Sequence, residues 1–299
     1  MIESRRVPAM GGHATVTIVG SPGGLMDRVL DELERLELLW SRFLPDSDIS
    51  RLNLAGGRPV RVDHATIGLL TVMGEAVAET SGAFDPTLLP TLVEAGYETS
   101  MIDPSRSTHL SPQATSGGDL ADIVIDGREV SLPPALTIDP GGIGKGYAAD
   151  RLCALTRSNR ADGAMIEIAG DLAVWGDAPR PGGWTIGIED PTDPMRRLTT
   201  VRLRAGAVAT SGTRKRRWTS AGVERNHLID PRTLTSAAPG IHSVSIIARS
   251  GARAEALAKY AFVHPVAETL EWLPTRAAAG LIVTDDGALH TTTTWKDFE

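Results

Sequence analysis

Residues 138–150 read IDPGGIGKGYAAD, an apolar strand end followed by an aspartate, a glycine-rich turn around Lys145 and a helical pattern. Glycines let backbone N–H groups approach a ligand, a helix start adds positive potential, and a lysine adds a full charge. The stretch nevertheless matches neither common nucleotide fingerprint, because Gly146 follows the lysine and Tyr147 stands where a third glycine belongs. Taken alone, it is equally consistent with a phosphate-binding loop and a strand-to-helix turn.

The composition is typical of a soluble globular protein without strong bulk charge. The chain has 299 residues, 41% of them apolar, which is enough for one large domain or two interlocked lobes. A net charge of −7 argues against nucleic acid as a partner, and no segment reaches the roughly 20 apolar residues of a membrane span. The single Cys153 fits a reducing compartment, so we expect a cytoplasmic protein. We expect one domain over residues 1–299, with a flexible N-terminus over residues 1–12.

The hydrophobic pattern on either side of the opening stretch predicts an α+β fold. HATVTIVG alternates like a strand, whereas apolar residues recur at helical spacing over residues 25–43 and 66–80. ADIVIDGREVSL has the pattern of a hairpin that turns at Asp126-Gly127. Strands in runs with interspersed helices favour a mixed or antiparallel sheet packed with helices.

Three further stretches have a chemical as well as a structural interpretation. In RNHLIDPRT, His227 would be a general base or a phosphate contact, but an Asp-Pro turn at Asp230 explains the pattern without chemistry. In SGAFDPTLLP, Asp85 precedes a proline and is typical of a turn. In WSRFLPDSDISRLN, Phe43 would pack either in the core or over a ligand ring. The residues alone leave these alternatives open.

These stretches occur together and in one order. From about residue 13 to the C-terminus, the chain resembles the FAD:protein FMN transferase (ApbE-like) family in WSRFLPDSDISRLN, GAFDPT, DPGGIGKGYAAD, IEIAGDLAVWG, WTIGIEDP, AVATSG, HLIDPRT and SVSII. The resemblance implies an ApbE-like (T-fold-like) fold with mixed or antiparallel sheets packed with helices. It also implies an enzyme that, with a divalent metal such as Mg²⁺, transfers the FMN moiety of FAD to a Thr or Ser of an acceptor protein and releases AMP. An FAD-binding protein without transferase activity and a pyrophosphatase that yields FMN and AMP are the alternatives.

The resemblance further implies roles for individual residues. It places Phe43 against the flavin and assigns FAD binding to Ala83, Phe84, Asp85, Asp139, Lys145 and Ser245. The backbone carbonyl of Gly142 corresponds to a metal ligand. A hydroxyl nucleophile gains from a nearby base, for which His227 is our candidate, with Asp230 as its orienter.

One helix departs from the family pattern. Where the family presents an Asp and, four residues later, a Thr towards the metal, this chain has Glu255 and Lys259. A spacing of four keeps both side chains on one helical face. Glu255 remains a suitable oxygen ligand for Mg²⁺, but a protonated Lys259 cannot bind a cation. We therefore expect weakened, altered or absent magnesium dependence, with Lys259 either neutralising the FAD pyrophosphate or pairing with Glu255.

Overall fold

A computed structural model of the protein describes residues 1–193, 195–214, 216–220, 222–237 and 240–299. The chain divides into two compact units. Unit 1 comprises Met1–Leu33, Lys145–Lys215 and Ala238–Glu299, and unit 2 comprises Glu34–Gly144 and Arg216–Ala237. Each unit is assembled from separate segments, so the chain passes between the two units four times.

The helices carry the apolar periodicity seen in the sequence. They are α1 (Leu25–Trp40), α2 (Asp48–Leu54), α3 (His64–Glu79), α4 (Leu89–Glu94), α5 (Gly144–Ser158), α6 (Gly251–Tyr260) and α7 (Val266–Thr275). Short 3-10 helices cover Leu120–Asp122, Pro140–Gly142 and Thr293–Phe298. Helices α1 and α3 confirm the helical patterns predicted over residues 25–43 and 66–80. Among the residues described, none of these helices combines the length and the apolar character that crossing a bilayer requires.

The strands pair in antiparallel fashion. In chain order they are β1 (Ile2–Ala9), β2 (Gly12–Val19), β3 (Val60–Arg61), β4 (Val124–Asp126), β5 (Glu129–Ser131), β6 (Gly163–Ile168), β7 (Asp171–Gly176), β8 (Trp184–Glu189), β9 (Arg197–Leu203), β10 (Gly206–Gly212), β11 (Arg217–Ser220), β12 (Val223–Asn226), β13 (Ile229–Asp230), β14 (Thr235–Ser236), β15 (Ile241–Ala248), β16 (Ala279–Thr284) and β17 (Leu289–Thr291). The predicted hairpin at Asp126-Gly127 is formed by β4 and β5.

Unit 1 is built on one large sheet. Within the described residues this sheet has eight strands in the order β1-β2-β6-β7-β10-β15-β16-β17. The β8–β9 hairpin packs on it, because alternate residues of β8, Trp184, Ile186 and Ile188, join a buried cluster with apolar residues of the sheet and with Trp295. The α+β prediction is confirmed by this arrangement of helices and antiparallel strands.

The N-terminal segment over residues 1–12, which we expected to be flexible, contains a paired strand. Residues of β1 pair with β2 along its full length, from Ile2 opposite Val19 to Ala9 opposite Gly12. The connecting turn places Met10 at φ 47° and Gly11 at φ 79°, the left-handed backbone that two-residue hairpin turns require. The segment forms a strand because its backbone groups bond to a neighbouring strand, although few of its side chains are buried.

Unit 2 combines helices α2–α4 with small sheets. Its strands form a β3-β5-β4 sheet and the β11–β12 and β13–β14 pairs. Ser47 caps α2 by accepting from the N–H of Ser50 at 3.0 Å. The side-chain amide of Asn53 bonds to both backbone groups of Ile138, at 2.9 and 2.8 Å, and so anchors the start of the 138–150 stretch.

Gly146 is required by the packing of α5 against the start of α6 in unit 1. A Cβ atom at Gly146 would lie 2.3 Å from the carbonyl carbon and oxygen of Gly251, closer than any real contact. Backbone, unlike the tip of a flexible side chain, cannot move aside cheaply. This glycine of the 138–150 stretch is therefore explained by helix packing.

We expect Gly146→Ala to lower the free energy of unfolding by about 1–3 kcal/mol or more, because the added methyl group must push two backbones apart. The matched control is Gly74→Ala, in the middle of α3, where a Cβ atom would meet no atom within 4 Å. That control should stabilise the protein by about 0.5–1 kcal/mol through helix propensity. Urea denaturation measures both, and equal effects of the two substitutions would contradict the packing argument.

Candidate functional site

The centre of the candidate site in unit 1 is an ammonium group between two buried carboxylates. Lys145, in the first turn of α5, donates to Oδ2 of Asp171 at 2.5 Å and to Oε1 of Glu255. The side chains of Asp171 and Glu255 are only 5% and 2% exposed. Buried charges are costly unless they are paired and hydrogen-bonded, so the three groups hold one another in place.

The remaining oxygen of each carboxylate also accepts a hydrogen bond. The backbone N–H of Thr210 donates to Oδ1 of Asp171 at 3.1 Å, and that of Gly146 donates to Oε2 of Glu255 at 2.9 Å. Strand β10 thus contacts Asp171 at the start of β7, and α5 contacts Glu255 on α6. Every carboxylate oxygen of the pair has a donor from the protein itself.

Lys259 lies one helical turn after Glu255 on α6. Its Nζ donates to the hydroxyl of Ser211 at 2.9 Å and to the backbone carbonyl of Glu255 at 3.1 Å. We call Lys145, Asp171, Ser211, Glu255 and Lys259 the cation cluster. The structure thus brings together the predicted residues Lys145, Glu255 and Lys259, and adds Asp171 and Ser211.

Ser245, a predicted FAD-binding residue, lies in the centre of β15. Its side chain is 1% exposed, and its hydroxyl is hydrogen-bonded to that of Thr210 at 2.8 Å. Thr210 is the residue whose N–H reaches Asp171, so Ser245 is linked to the cation cluster through one neighbour.

In unit 2, Phe43 is part of an aromatic group built around a buried arginine. The guanidinium of Arg42 lies 4.2 Å from the centre of the Phe43 ring and 4.7 Å from that of Tyr97, and the Tyr97 ring contacts Trp218 at 5.4 Å. Arg42 Nε also approaches Asp139 Oδ1 at 3.7 Å. Sequence reasoning missed Arg42, although it precedes Phe43 in the stretch WSRFLP.

The predicted positions at residues 83–85 and Asp139 lie side by side in unit 2. The N–H of Asp139 donates to the carbonyl of Pro86 at 2.8 Å. Asp85 accepts from the N–H and the hydroxyl of Thr87, as expected for a turn, and Asp139 accepts from the N–H of Gly141 at 3.0 Å. Ala83 and Phe84 are 7% and 3% exposed, so their side chains pack in the core. Gly142 closes the short 3-10 helix that Asp139 caps.

His227 and Asp230 lie in and around the β12–β13 connection of unit 2. The carboxylate of Asp230 is held by Arg232, with Nε at 3.0 Å and Nη2 at 2.8 Å, and accepts from the N–H of Arg232 at 2.9 Å. This bonding is that of an Asp-Pro turn, as the structural interpretation of the stretch predicted. The role of Asp230 as an orienter of His227 stays a prediction.

The comparison with known sequences decides the family. A sequence profile of the ApbE family matches residues 10–282. The chain belongs to the ApbE family.

Relatives of this ApbE-family chain share one name. The FAD:protein FMN transferase of Treponema pallidum is 29% identical over 263 residues, a match that covers 80% of this chain and 70% of the relative. The FAD:protein FMN transferase of Rhodobacter capsulatus is 31% identical over 303 residues. This match covers 97% of this chain and 54% of the Rhodobacter protein. The chain therefore spans about half of the Rhodobacter protein.

Solved structures of ApbE proteins have the same fold. The ApbE protein of Thermotoga maritima superimposes with a TM-score of 0.87 at 28% identity, covering 100% of this chain and 99% of that one. The Pseudomonas stutzeri flavinyl transferase ApbE gives a TM-score of 0.81 at 25% identity, with 99% and 96% covered. These likenesses confirm the predicted ApbE-like fold.

The residues present do not fit the divalent metal that the ApbE resemblance implies. The oxygens of Glu255 and Asp171, the hard donors that Mg²⁺ prefers, are occupied by Lys145 and by backbone N–H groups. The residue one turn after Glu255 is Lys259, whose ammonium donates hydrogen bonds and has no lone pair with which to bind a metal ion. Among the described residues, no three His, Cys, Asp or Glu side chains are grouped so that they could hold a metal ion.

Asp150, which sequence reasoning left unassigned, ties α5 to α6 beside the cation cluster. Its carboxylate accepts from the N–H groups of Gly251 at 2.7 Å and Ala252 at 3.0 Å. Burial, assisted by the negative charge of Glu255, raises the pKa of Asp150 from 3.8 to about 6 against the lowering effect of these bonds. The only indication of Asp150 in the sequence was its place as the last residue of IDPGGIGKGYAAD, four residues after Gly146.

We expect Asp150 to make the folding free energy depend on pH between about 4 and about 6. The folded state binds the proton more tightly than the unfolded chain, so the contribution of this group to stability is greatest at low pH. It falls by about 3 kcal/mol as the pH rises through this range. Asp150→Asn should remove this part of the slope in urea denaturation series. A constant difference between the two proteins from pH 4 to pH 7 would contradict the raised pKa.

Proposed function

We propose that this ApbE-family protein is an FAD:protein FMN transferase that attaches FMN to a Thr or Ser hydroxyl of an acceptor protein and releases AMP. The observation that carries the proposal is the cation cluster, in which the ammonium groups of Lys145 and Lys259 both bond to Glu255. Such an arrangement suits a diphosphate, whose negative charge increases where the bond to the leaving group breaks. The shared name of the relatives supports the same activity.

The proposed reaction is a phosphoryl transfer. The oxygen of the acceptor hydroxyl attacks the phosphorus of the FMN half, and the bond from that phosphorus to the bridging oxygen breaks. AMP leaves with the bridging oxygen, and the hydroxyl proton passes to a base. Because the protein has little covalent work in such a reaction, positioning and charge neutralisation provide the catalysis. In this proposal, Lys145 and Lys259 neutralise the charge, and Asp171 and Glu255 orient Lys145.

The groups of unit 2 have separate proposed roles. Phe43 packs on the flavin, and Asp139 and residues 83–85 are further FAD-binding positions. His227 is the base that accepts the hydroxyl proton, which is the usual function of an imidazole in such reactions. If a metal is bound, the backbone carbonyl of Gly142 is its proposed ligand.

The proposal extends to the whole chain and its surroundings. Each unit is made of discontinuous segments, which supports one flavin transferase domain over residues 1–299 rather than two separable ones. The net charge of −7 supports the absence of a nucleic-acid partner, and the single, buried Cys153 supports a cytoplasmic location.

We expect the protein to release AMP from FAD when proteins of a cell extract are supplied as acceptors, and a protein band to retain flavin fluorescence after denaturing electrophoresis. Both products are required, because transfer leaves the FMN covalently bound. AMP together with free FMN, without a fluorescent band, would show a pyrophosphatase instead. FAD binding without AMP release would show a binding protein.

We expect His227→Gln to lower the rate of AMP release by about 10²–10⁴, because general-base catalysis contributes that much. The dissociation constant for FAD, measured by flavin fluorescence, should change by less than about twofold, since a base acts on the acceptor. His109→Gln, which alters an exposed histidine of the same unit, is the control. An unchanged rate in His227→Gln would remove His227 from the mechanism.

A further inference from the structure

The five residues of the cation cluster, counted without the neighbouring Asp150, carry no formal net charge. It contains two lysines, Lys145 and Lys259, and two carboxylates, Asp171 and Glu255, with Ser211 as a neutral member. Without a nucleotide to contribute phosphate oxygens, a site that attracts a divalent cation needs an excess of carboxylates over ammonium groups, because the ion must recover the hydration energy that it gives up. The cluster offers no such excess.

The geometry of the carboxylates also opposes a metal ion. A cation that bound Oε1 of Glu255 would have to displace the ammonium of Lys145 from that carboxylate, in a place where the lysine side chain is 15% exposed. Breaking a buried ion pair by removing one partner is strongly unfavourable. Binding of the metal would therefore compete with an interaction that is already formed within the protein.

Lys259 is placed to do the electrostatic work of a metal. It lies one turn from Glu255 on α6, and its amine is held at 2.9 Å by the hydroxyl of Ser211, which is itself 7% exposed. A lysine held in this way presents a fixed positive charge next to the backbone carbonyl of Glu255, the residue whose carboxylate accepts from Lys145.

We propose that the cation cluster works without a divalent metal, and that the ammonium of Lys259 supplies the positive charge opposite the diphosphate of the dinucleotide substrate. The part concerning the diphosphate rests on the proposed function. The part concerning the metal rests on the charges and contacts of Lys145, Asp171, Glu255 and Lys259 alone. Charge neutralisation in the transfer then needs no co-reactant beyond FAD and the acceptor.

The first test measures metal binding without any nucleotide. The electron paramagnetic resonance signal of free Mn²⁺ should remain unchanged when a molar excess of the wild-type protein is added. Loss of that signal with the wild type, and its return with Glu255→Gln, would show a metal at this cluster and overturn the proposal. FAD plays no part in this measurement, so its outcome does not depend on the proposed function.

The second test measures FAD affinity in the presence of EDTA. Wild-type affinity should be the same in EDTA and in Mg²⁺. Lys259→Met should weaken FAD binding in EDTA by about tenfold or more, the loss expected for a hydrogen bond to a charged group. Lys259→Arg, which keeps the charge, should retain most of the affinity. Lys296→Met removes the same charge from an exposed position of the same unit and should bind FAD like the wild type.

The outcomes of the second test separate the two proposals. Unchanged affinity in Lys259→Met, with a thermal unfolding transition like that of the wild type, would overturn the role of Lys259. Equal losses in Lys259→Met and Lys259→Arg would also overturn it, because they would show a requirement for shape rather than charge. Failure of the wild type to bind FAD, in EDTA and in Mg²⁺ alike, would instead overturn the proposed function, while the Mn²⁺ measurement would still decide the metal.

Discussion

The ion pair of Lys145 with the buried carboxylates of Asp171 and Glu255 is the interaction on which the arrangement of unit 1 depends. It joins the first turn of α5 to the start of β7 and to the middle of α6. The pair can form only because α5 and α6 approach each other closely at Gly146 and Gly251, where neither helix carries a side chain. Charges that are removed from water must be matched by partners at short distance, so this network admits little displacement of any element.

The same requirement explains how one lysine changes the chemistry of the cluster. With Lys145, Asp171 and Glu255 alone, the group would carry one negative charge, which a bound cation would balance. The ammonium of Lys259 balances that negative charge from within the chain. Its hydrogen bond to the hydroxyl of Ser211 fixes the position of this ammonium. In our proposal, the difference from the family pattern is the source of the positive charge, which is the ammonium of Lys259 rather than a metal ion.

The candidate site was only partly predictable from residue patterns. The resemblance assigned roles to Phe43, Asp139 and Lys145, because they lie in short motifs that follow one another in the same order as in the family. It assigned none to Arg42 and Asp171. Arg42 next to Phe43 looks like an ordinary surface cation, yet its guanidinium is buried between aromatic rings and near Asp139. Burial of a charged residue depends on contacts distant in the chain, and no local periodicity reports them.

The sequence by itself determined the local elements: helical periodicity predicted α1 and α3, alternation predicted β2, and Asp126-Gly127 predicted the β4–β5 hairpin. It also determined the family, through the order of its short stretches. Only the tertiary structure decided that β1 is a strand, because its order comes from bonds to β2 rather than from its own side chains. Only the tertiary structure paired Lys145 with Glu255, 110 residues away, since a pattern along the chain specifies which face a residue occupies but not which distant charge meets it.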